Sequence, residues 1–199
     1  APGAELYVGL RRGVSQVDFE RKVGDGSVAD CFHRVPVRAG DAMFLPSGRV
    51  HAIGAGSVLF EIQQNSDTTY RVFDWNRVGL DGKPRELHVA ESLACIDFND
   101  FEPRLIQSEF SRNQKFAVRF LVNDPLFRAD ACRVKRGQRF YVRSDGIQIL
   151  GVMQGRLSLK YAEHEVALSA GQFALLPACL ERVALTAESK AEFLHVQAG

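Results

Sequence analysis

Two stretches of the chain repeat one spacing at a constant offset of 131 residues, and this repeat limits the possible folds more than any other feature. Gly40-Asp-Ala-Met-Phe-Leu-Pro46-Ser-Gly48-Arg-Val-His51 reads as glycine, five mostly apolar residues and proline, and so does Gly171-Gln-Phe-Ala-Leu-Leu-Pro177-Ala-Cys179-Leu-Glu-Arg182. An apolar run of strand length between a glycine turn and a proline stop, used twice, marks two copies of one supersecondary unit. The second copy carries Cys179 in place of Gly48 and Arg182 in place of His51.

Short runs of β-branched and aromatic residues separated by glycine-containing turns surround both copies. The pattern predicts strands at Ala42–Leu45, Val58–Gln63 and Thr69–Asp74, then at 117–122, 131–135, 139–143, 147–152 and 157–161. Many short strands at this spacing imply an all-β sandwich or barrel. Gln154-Gly155 reads as a hairpin turn, with Leu157, Leu159 and Tyr161 on one face of the next strand and Arg156, Ser158 and Lys160 on a wet one.

Helix signals are few. Ser15 is an N-cap for a helix that turns Val17, Phe19 and Val23 inward and stops at Gly24 and Gly26. A second short helix is expected from Ser27 to before Pro36, and a third over Ala90–Cys95. The polar segment Asp97–Arg104 then divides the chain into domains 1–98, with a helical insertion near 15–35, and 99–199.

Composition narrows the function classes. Lys plus Arg number 25 against 24 Asp plus Glu, with no basic run that would track a phosphate backbone, so nucleic acid is not an expected partner. No apolar stretch is long enough to span a membrane and the first residues lack a signal peptide's pattern, which predicts a cytoplasmic protein without a membrane partner. Cys31, Cys95, Cys132 and Cys179 have no metal or redox spacing and are expected to be buried thiols. The chain enters a strand-like run, Glu5–Val8, almost at once and without an initiator Met, as if other residues preceded Ala1.

Gly40, Pro46, Gly48 and His51 fit the second signature of the cupin superfamily, G-x5-P-x-G-x2-H, in which the histidine is usually a metal ligand; the alternative is an ordinary surface or core histidine. The run from Val50 to Arg77, with Phe60-Glu-Ile-Gln-Gln and Tyr70-Arg-Val-Phe-Asp-Trp, followed by Asp81-Gly-Lys-Pro-Arg-Glu-Leu-His88, resembles the bacterial form of the type I mannose-6-phosphate isomerases. The resemblance is strongest over residues 35–97. It implies a double-stranded β-helix, or cupin jelly roll, and interconversion of mannose 6-phosphate and fructose 6-phosphate by proton transfer through a cis-enediol, assisted by one zinc ion per full-length enzyme.

The resemblance also implies roles for single residues. His51 falls on a zinc ligand. Arg71 falls on an arginine set against the sugar or the enediolate, Glu61 and Asp67 lie near the sugar as catalytic candidates, and Gln63 is a substrate-binding candidate. Each has an ordinary reading as a surface ion pair or turn cap; Trp75 and Tyr70 read as packing residues. The family's other zinc ligands come from a Q-x-H segment and an N-H-K-P-E segment, and neither occurs here; Lys83-Pro84-Arg85-Glu86 belongs to the downstream segment instead.

In the later domain, Gly137, Arg143, Asp145, Gln148 and Gly155 follow the first cupin signature with poor metal ligands at the ligand positions. His33, His88, His164 and His195 lie outside both signatures and read as solvent-facing. The expectation is therefore the later part of a catalytic cupin followed by a degenerate one. Its partners would be a sugar phosphate, and either a missing N-terminal half or another copy of the chain. The alternative is a non-catalytic cupin module that binds a sugar or a protein.

Overall fold

The structure is a computed structural model that describes residues 1–66, 68–75, 77–79, 81–111, 116–143 and 146–199. It divides into two compact units, Ala1–Ile106 and Gln107–Gly199. Residues 99–106 join the first unit because their backbone is bonded into it. Leu10 N–H donates to the Asp100 carbonyl at 2.9 Å, Glu102 N–H donates to that of Leu10 at 2.9 Å, and Ile106 N–H donates to that of Ala42 at 2.9 Å.

The second unit contains β4 (Ala117–Asn123), β5 (Phe127–Val134), β6 (Arg139–Arg143), β7 (Gln148–Gln154), β8 (Arg156–Tyr161), β9 (His164–Ser169), β10 (Phe173–Leu176), β11 (Arg182–Ala187) and β12 (Ala191–Ala198). They form a five-stranded sheet in the order β10-β7-β12-β5-β4 and a four-stranded sheet in the order β6-β11-β8-β9, with every ladder antiparallel. From β5 to β8, and again from β9 to β12, successive strands alternate between the sheets, which is jelly-roll connectivity. The fold class is thus the expected all-β jelly roll. Period-2 alternation puts Cys132, Val134, Leu150, Val152, Leu157, Leu159, Val183, Leu185 and Phe193 in the core.

Gln154-Gly155 does not close a hairpin. β7 pairs with β10 and β12, whereas β8 pairs with β9 and β11, so the turn is an arch between the sheets. Gly155 has φ +81°, and a Cβ there would collide with the Lys190 carbonyl oxygen. Ser158 is not on a wet face either: it is buried and its hydroxyl donates to the Glu165 carboxylate.

The first unit holds β1 (Glu5–Leu10), β2 (Phe32–Pro36) and β3 (His51–Ile53) in the order β2-β1-β3, with α1 (Gln16–Asp25), a 3-10 turn at Val28–Cys31 and α2 (Val89–Cys95). Ser15 caps α1 by accepting from Asp18 N–H at 3.1 Å, and Gly26 ends it at φ 80°. Phe19 is buried against Phe32 and Phe98, but Val17 is exposed, and Gly24 lies inside the helix rather than ending it. The expected second helix is only the 3-10 turn; the β-branched and aromatic residues of Phe32–Pro36 pair with β1 instead, with Pro36 on the edge strand. Ala42–Leu45, Val58–Gln63 and Thr69–Asp74 are not strands. An extended run becomes a strand by sharing a ladder, and these runs belong to none in the unit.

The repeat is a structural one. Asp41 N–H donates to the Arg38 carbonyl while Asp41 Oδ2 accepts from Arg38 N–H; Gln172 and Ser169 make the same reciprocal pair. The prolines also match, since Arg49 N–H donates to the Pro46 carbonyl and Leu180 N–H to that of Pro177. Like β1 between β2 and β3, β8 lies between β9 and β11.

Candidate functional site

Gly48, at φ 86°, completes the Pro46–Arg49 turn that leads into β3, and its carbonyl accepts from Asp97 N–H at 2.9 Å. Arg49 is held at three points. Its Nε and Nη2 each donate to Asp100 at 2.8 Å, and its Nη1 donates to the Phe44 carbonyl at 2.7 Å. The pair is mostly buried and fork-like, the strong geometry for an arginine and a carboxylate.

His51 opens β3 opposite Val8 and is exposed. Its Nδ1 lies 3.1 Å from the Arg49 carbonyl. A carbonyl can only accept, so the Nδ1–H donates to it, and Nε2 is the ring nitrogen that remains for a ligand. A carbonyl behind one ring nitrogen is the usual support of a ligating histidine.

Glu61 and Gln63 are exposed, and Phe60 and Ile62 between and beside them are half-buried, so the alternation expected of a strand survives without a ladder. Arg71 is half-buried. Its carbonyl accepts from His88 N–H at 2.8 Å, its N–H meets His88 Nδ1 at 3.4 Å, and its Nη1 donates to the Glu86 carbonyl at 3.3 Å. Asp67 lies outside the described residues. No hydrogen bond or ion pair joins His51, Glu61, Gln63 and Arg71 to one another among the described residues.

Sequence reasoning missed Asp74. It is buried, and its carboxylate accepts from Arg85 Nε at 2.7 Å, from Arg85 Nη2, and from Arg77 Nη2 at 3.1 Å. These bonds tie Tyr70–Trp75 to Lys83–Glu86. The Arg85 hydrogen bonds, helped by the charges of Arg85 and Arg77, hold the Asp74 carboxyl below the usual aspartate value against the opposing effect of desolvation. A lone aspartate with arginines three and eleven residues on, in one motif-rich stretch, is the sequence signal that could have found it. Trp75 packs on Tyr7 and Phe73 as expected.

A shallow cleft of about 300 Å³ lined by Arg11, Asp30, Phe32, His33, Arg34 and Glu102 also lies in the first unit. Among the described residues, none of His51, Glu61, Gln63 and Arg71 lines it, and its cations and carboxylates are mixed.

In the second unit Arg143 and Arg182 are exposed, and the Arg182 guanidinium stacks 3.6 Å over Tyr141. Asp145 lies outside the described residues. Gln148 is buried in the interior, donating to the Arg143 carbonyl at 2.7 Å. His195 is not solvent-facing: it is half-buried, with Nε2 2.7 Å from Gln148 Oε1. His88 is half-buried as well, against Arg71. Cys31 and Cys132 are buried as expected, but Cys95 and Cys179 are exposed, because they sit at a helix end and in a turn.

No three His, Cys, Asp or Glu side chains come together in a metal-holding group among the described residues. One imidazole nitrogen does not make a zinc centre, so the donor set of these residues taken alone does not fit the ion. No helix of the described residues is long and apolar enough to cross a membrane.

No protein-family model matches the chain. It is 28% identical over 175 residues to the mannose-6-phosphate isomerase of Streptococcus mutans, covering 88% of this chain and 54% of that protein. It is 40% identical over 94 residues to the mannose-6-phosphate isomerase ManA of Bacillus subtilis, covering 47% of this chain and 30% of that one. A crystal structure of the mannose 6-phosphate isomerase from Bacillus subtilis superposes with a TM-score of 0.84 at 24% identity, over 99% of this chain and 61% of that chain, and shows the shared fold. The chain spans about half the length of the curated relatives that it matches over most of its own sequence.

Proposed function

We propose that residues 1–199 are the later portion of a type I mannose-6-phosphate isomerase, which interconverts mannose 6-phosphate and fructose 6-phosphate. The observation that carries this is the extent of the likeness: relatives named for that activity match 82–88% of the chain. The His51 arrangement supports it, because a carbonyl-backed imidazole with a free Nε2 stands where the cupin signature puts a ligand. In this reading residues outside 1–199 supply the remaining ligands of a divalent ion, and the protein works on a soluble sugar phosphate in the cytoplasm. The first unit is the later part of the catalytic cupin, and the second a cupin without a metal.

The reaction moves a proton from C2 of the aldose to C1 of the ketose and passes through an enediolate that carries negative charge. Arg71 compensates that charge. Its backbone is pinned on both sides by His88 and its guanidinium is oriented by the Glu86 carbonyl, so little reorganisation accompanies the charge as it develops. Glu61 and Asp67 are acidic groups beside the sugar, and Gln63 supplies an amide that can both donate to and accept from its hydroxyls.

The test uses the translated gene product that contains these residues. It turns over mannose 6-phosphate in a coupled fructose 6-phosphate assay, and Arg71→Lys lowers kcat more than it raises KM. A folded product that leaves mannose 6-phosphate unchanged while isomerising another sugar phosphate, or none, overturns the reading. In the second case a non-catalytic cupin module replaces it.

A further inference from the structure

The four-stranded sheet of the second unit has one face in the core and one toward solvent. Val142, Val183, Leu185, Leu157 and Leu159 belong to the core, so alternation sends the residues between them outward. Residues opposite one another in a ladder share a face. The register sets Arg143 opposite Arg182, Tyr141 opposite Ala184, Arg139 opposite Thr186, and Lys160 on the far side of Ala184. Arg139, Arg143, Arg182 and Lys160 are exposed, so four positive charges share this face across three neighbouring strands.

Like charges set directly opposite one another destabilise a sheet, and Arg143 stands opposite Arg182. Other arginines of the unit are balanced: Arg128 pairs with Asp130, Arg133 with Glu192 and Arg156 with Glu188. Among the described residues none of the four cations on this face has an ion pair. Glu165 stands opposite Lys160 but accepts from the Ser158 hydroxyl. Both opposed arginines stand, in sequence, at ligand positions of the two cupin signatures, where a guanidinium excludes a metal ion and favours an anion.

Tyr141 orients the arginines. The Arg182 guanidinium lies 3.6 Å over its ring, and that of Arg139 lies 5.8 Å from the same ring's centre. Stacking leaves the N–H donors of a guanidinium at its edge for an acceptor, and it restricts the side chain before any ligand arrives, which lowers the entropic cost of binding.

We infer that the outer face of β6 and β11 binds the di- or triphosphate group of a small molecule through Arg139, Arg143 and Arg182, with Lys160 at its edge. Guanidinium forks match phosphate oxygens two at a time. A multiply charged anion between Arg143 and Arg182 offsets the repulsion across their ladder. Three strands span only about 10 Å, which suits two or three linked phosphates and is too short for the many contacts that a nucleic-acid backbone makes. No residue proposed for the isomerase reaction belongs to these strands, so the inference stands apart from that reading.

The experiment is isothermal titration calorimetry of the chain with sodium tripolyphosphate in metal-free buffer, with sodium sulfate and sodium citrate at matched ionic strength as comparisons. One tripolyphosphate is expected to bind per chain, about tenfold more tightly than either comparison anion. Arg143→Gln and Arg182→Ala should each weaken it about tenfold, whereas Arg156→Gln, which removes a charge already paired with Glu188, should change it less than about twofold. Arg143→Gln leaves the stack of Arg182 on Tyr141 in place and so tests the site without disturbing it. It should also raise the urea midpoint of the anion-free chain, because it removes one of two opposed charges, and tripolyphosphate should raise the midpoint of the unsubstituted chain more than that of the variant. ATP should bind as tripolyphosphate does and adenosine should not bind. Binding that follows ionic strength alone, that survives both substitutions, or that is tighter for a single-stranded DNA oligonucleotide overturns the inference. Isomerase activity is not among the readouts, so an inactive protein that binds tripolyphosphate counts against the proposed function alone.

Discussion

Arg49 and Asp100 meet fork to fork, with both hydrogen bonds at 2.8 Å, and the carbonyl of the same arginine fixes the proton on His51. The pair spans the turn before β3 and the segment after α2. It is mostly buried, so removing one partner leaves a charge with little water to replace it. Asp100→Ala is expected to destabilise the first unit by about 2–4 kcal/mol, measured by urea denaturation. Its histidine NMR spectrum should show a changed tautomer balance at His51; an unchanged denaturation midpoint would show that the fork is not holding the turn.

Acid should weaken the chain in a defined window. The carboxyls of Asp74, Asp18 and Asp25 are held below the ordinary aspartate value of 3.8, chiefly by hydrogen bonds from Arg85, Ser15 and Ser27 respectively. A depressed folded-state pKa means that the unfolded chain binds more protons in the interval between the two pKa values, so stability rises with pH there. The contribution is present in full above the unfolded value and is lost as pH falls through the folded one. Urea midpoints should therefore be level at neutral pH and drop as pH falls below the ordinary aspartate value. Asp74→Asn should flatten part of that drop, and an identical slope in the variant would remove Asp74 from the account.

The four thiols should separate in a labelling experiment. Burial pushes the Cys132 thiol up to about 12 and raises that of Cys31, whereas Cys95 and Cys179 are exposed. Iodoacetamide on the native chain, followed by mass spectrometry, should modify Cys95 and Cys179 first, Cys31 slowly and Cys132 last. Early labelling of Cys132 would mean that the second unit opens readily.

Those cysteines illustrate which features were legible in the sequence. α1 was readable because its cap, Ser15, and its stop, Gly26, are local, and the strands of the second unit because alternation survives in each one separately. The arch at Gly155 was not: a two-residue turn between alternating runs looks the same whether it closes a ladder or crosses between sheets, and only the distant partners of β7 and β8 decide. His51 was found through the spacing around it. Its support was not, since Asp100 lies 51 residues from Arg49 and nothing in the intervening sequence marks the pair. Val58–Gln63 carried a strand's alternation, and half-burial of Phe60 and Ile62 keeps it visible, but a ladder is a property of two segments and not of one.

The arch itself can be tested. Gly155→Ala places a methyl group against the Lys190 carbonyl at φ +81°, which combines backbone strain with a collision that a rigid carbonyl cannot escape. The expected cost is about 3 kcal/mol or more in the stability of the second unit. Gly171→Ala is the control: its φ is +86° but nothing lies within 4 Å of the added atom, so strain alone should cost about 1 kcal/mol. Equal costs for the two would show that the chain shifts at Lys190 and that the arch is not tightly packed.

Leu185 and Ile53 hold equivalent places in the two copies of the module, one beneath a sheet and one facing solvent. Truncating the first removes buried methyl groups and leaves a cavity, so Leu185→Ala should cost about 2–5 kcal/mol in the isolated chain. Truncating the second removes groups that water already reaches, so Ile53→Ala should cost less than about 1 kcal/mol there. Paired urea denaturation curves for the two variants measure that difference. A large cost for Ile53→Ala would mean that its side chain is packed in solution and that burial does not separate the two positions.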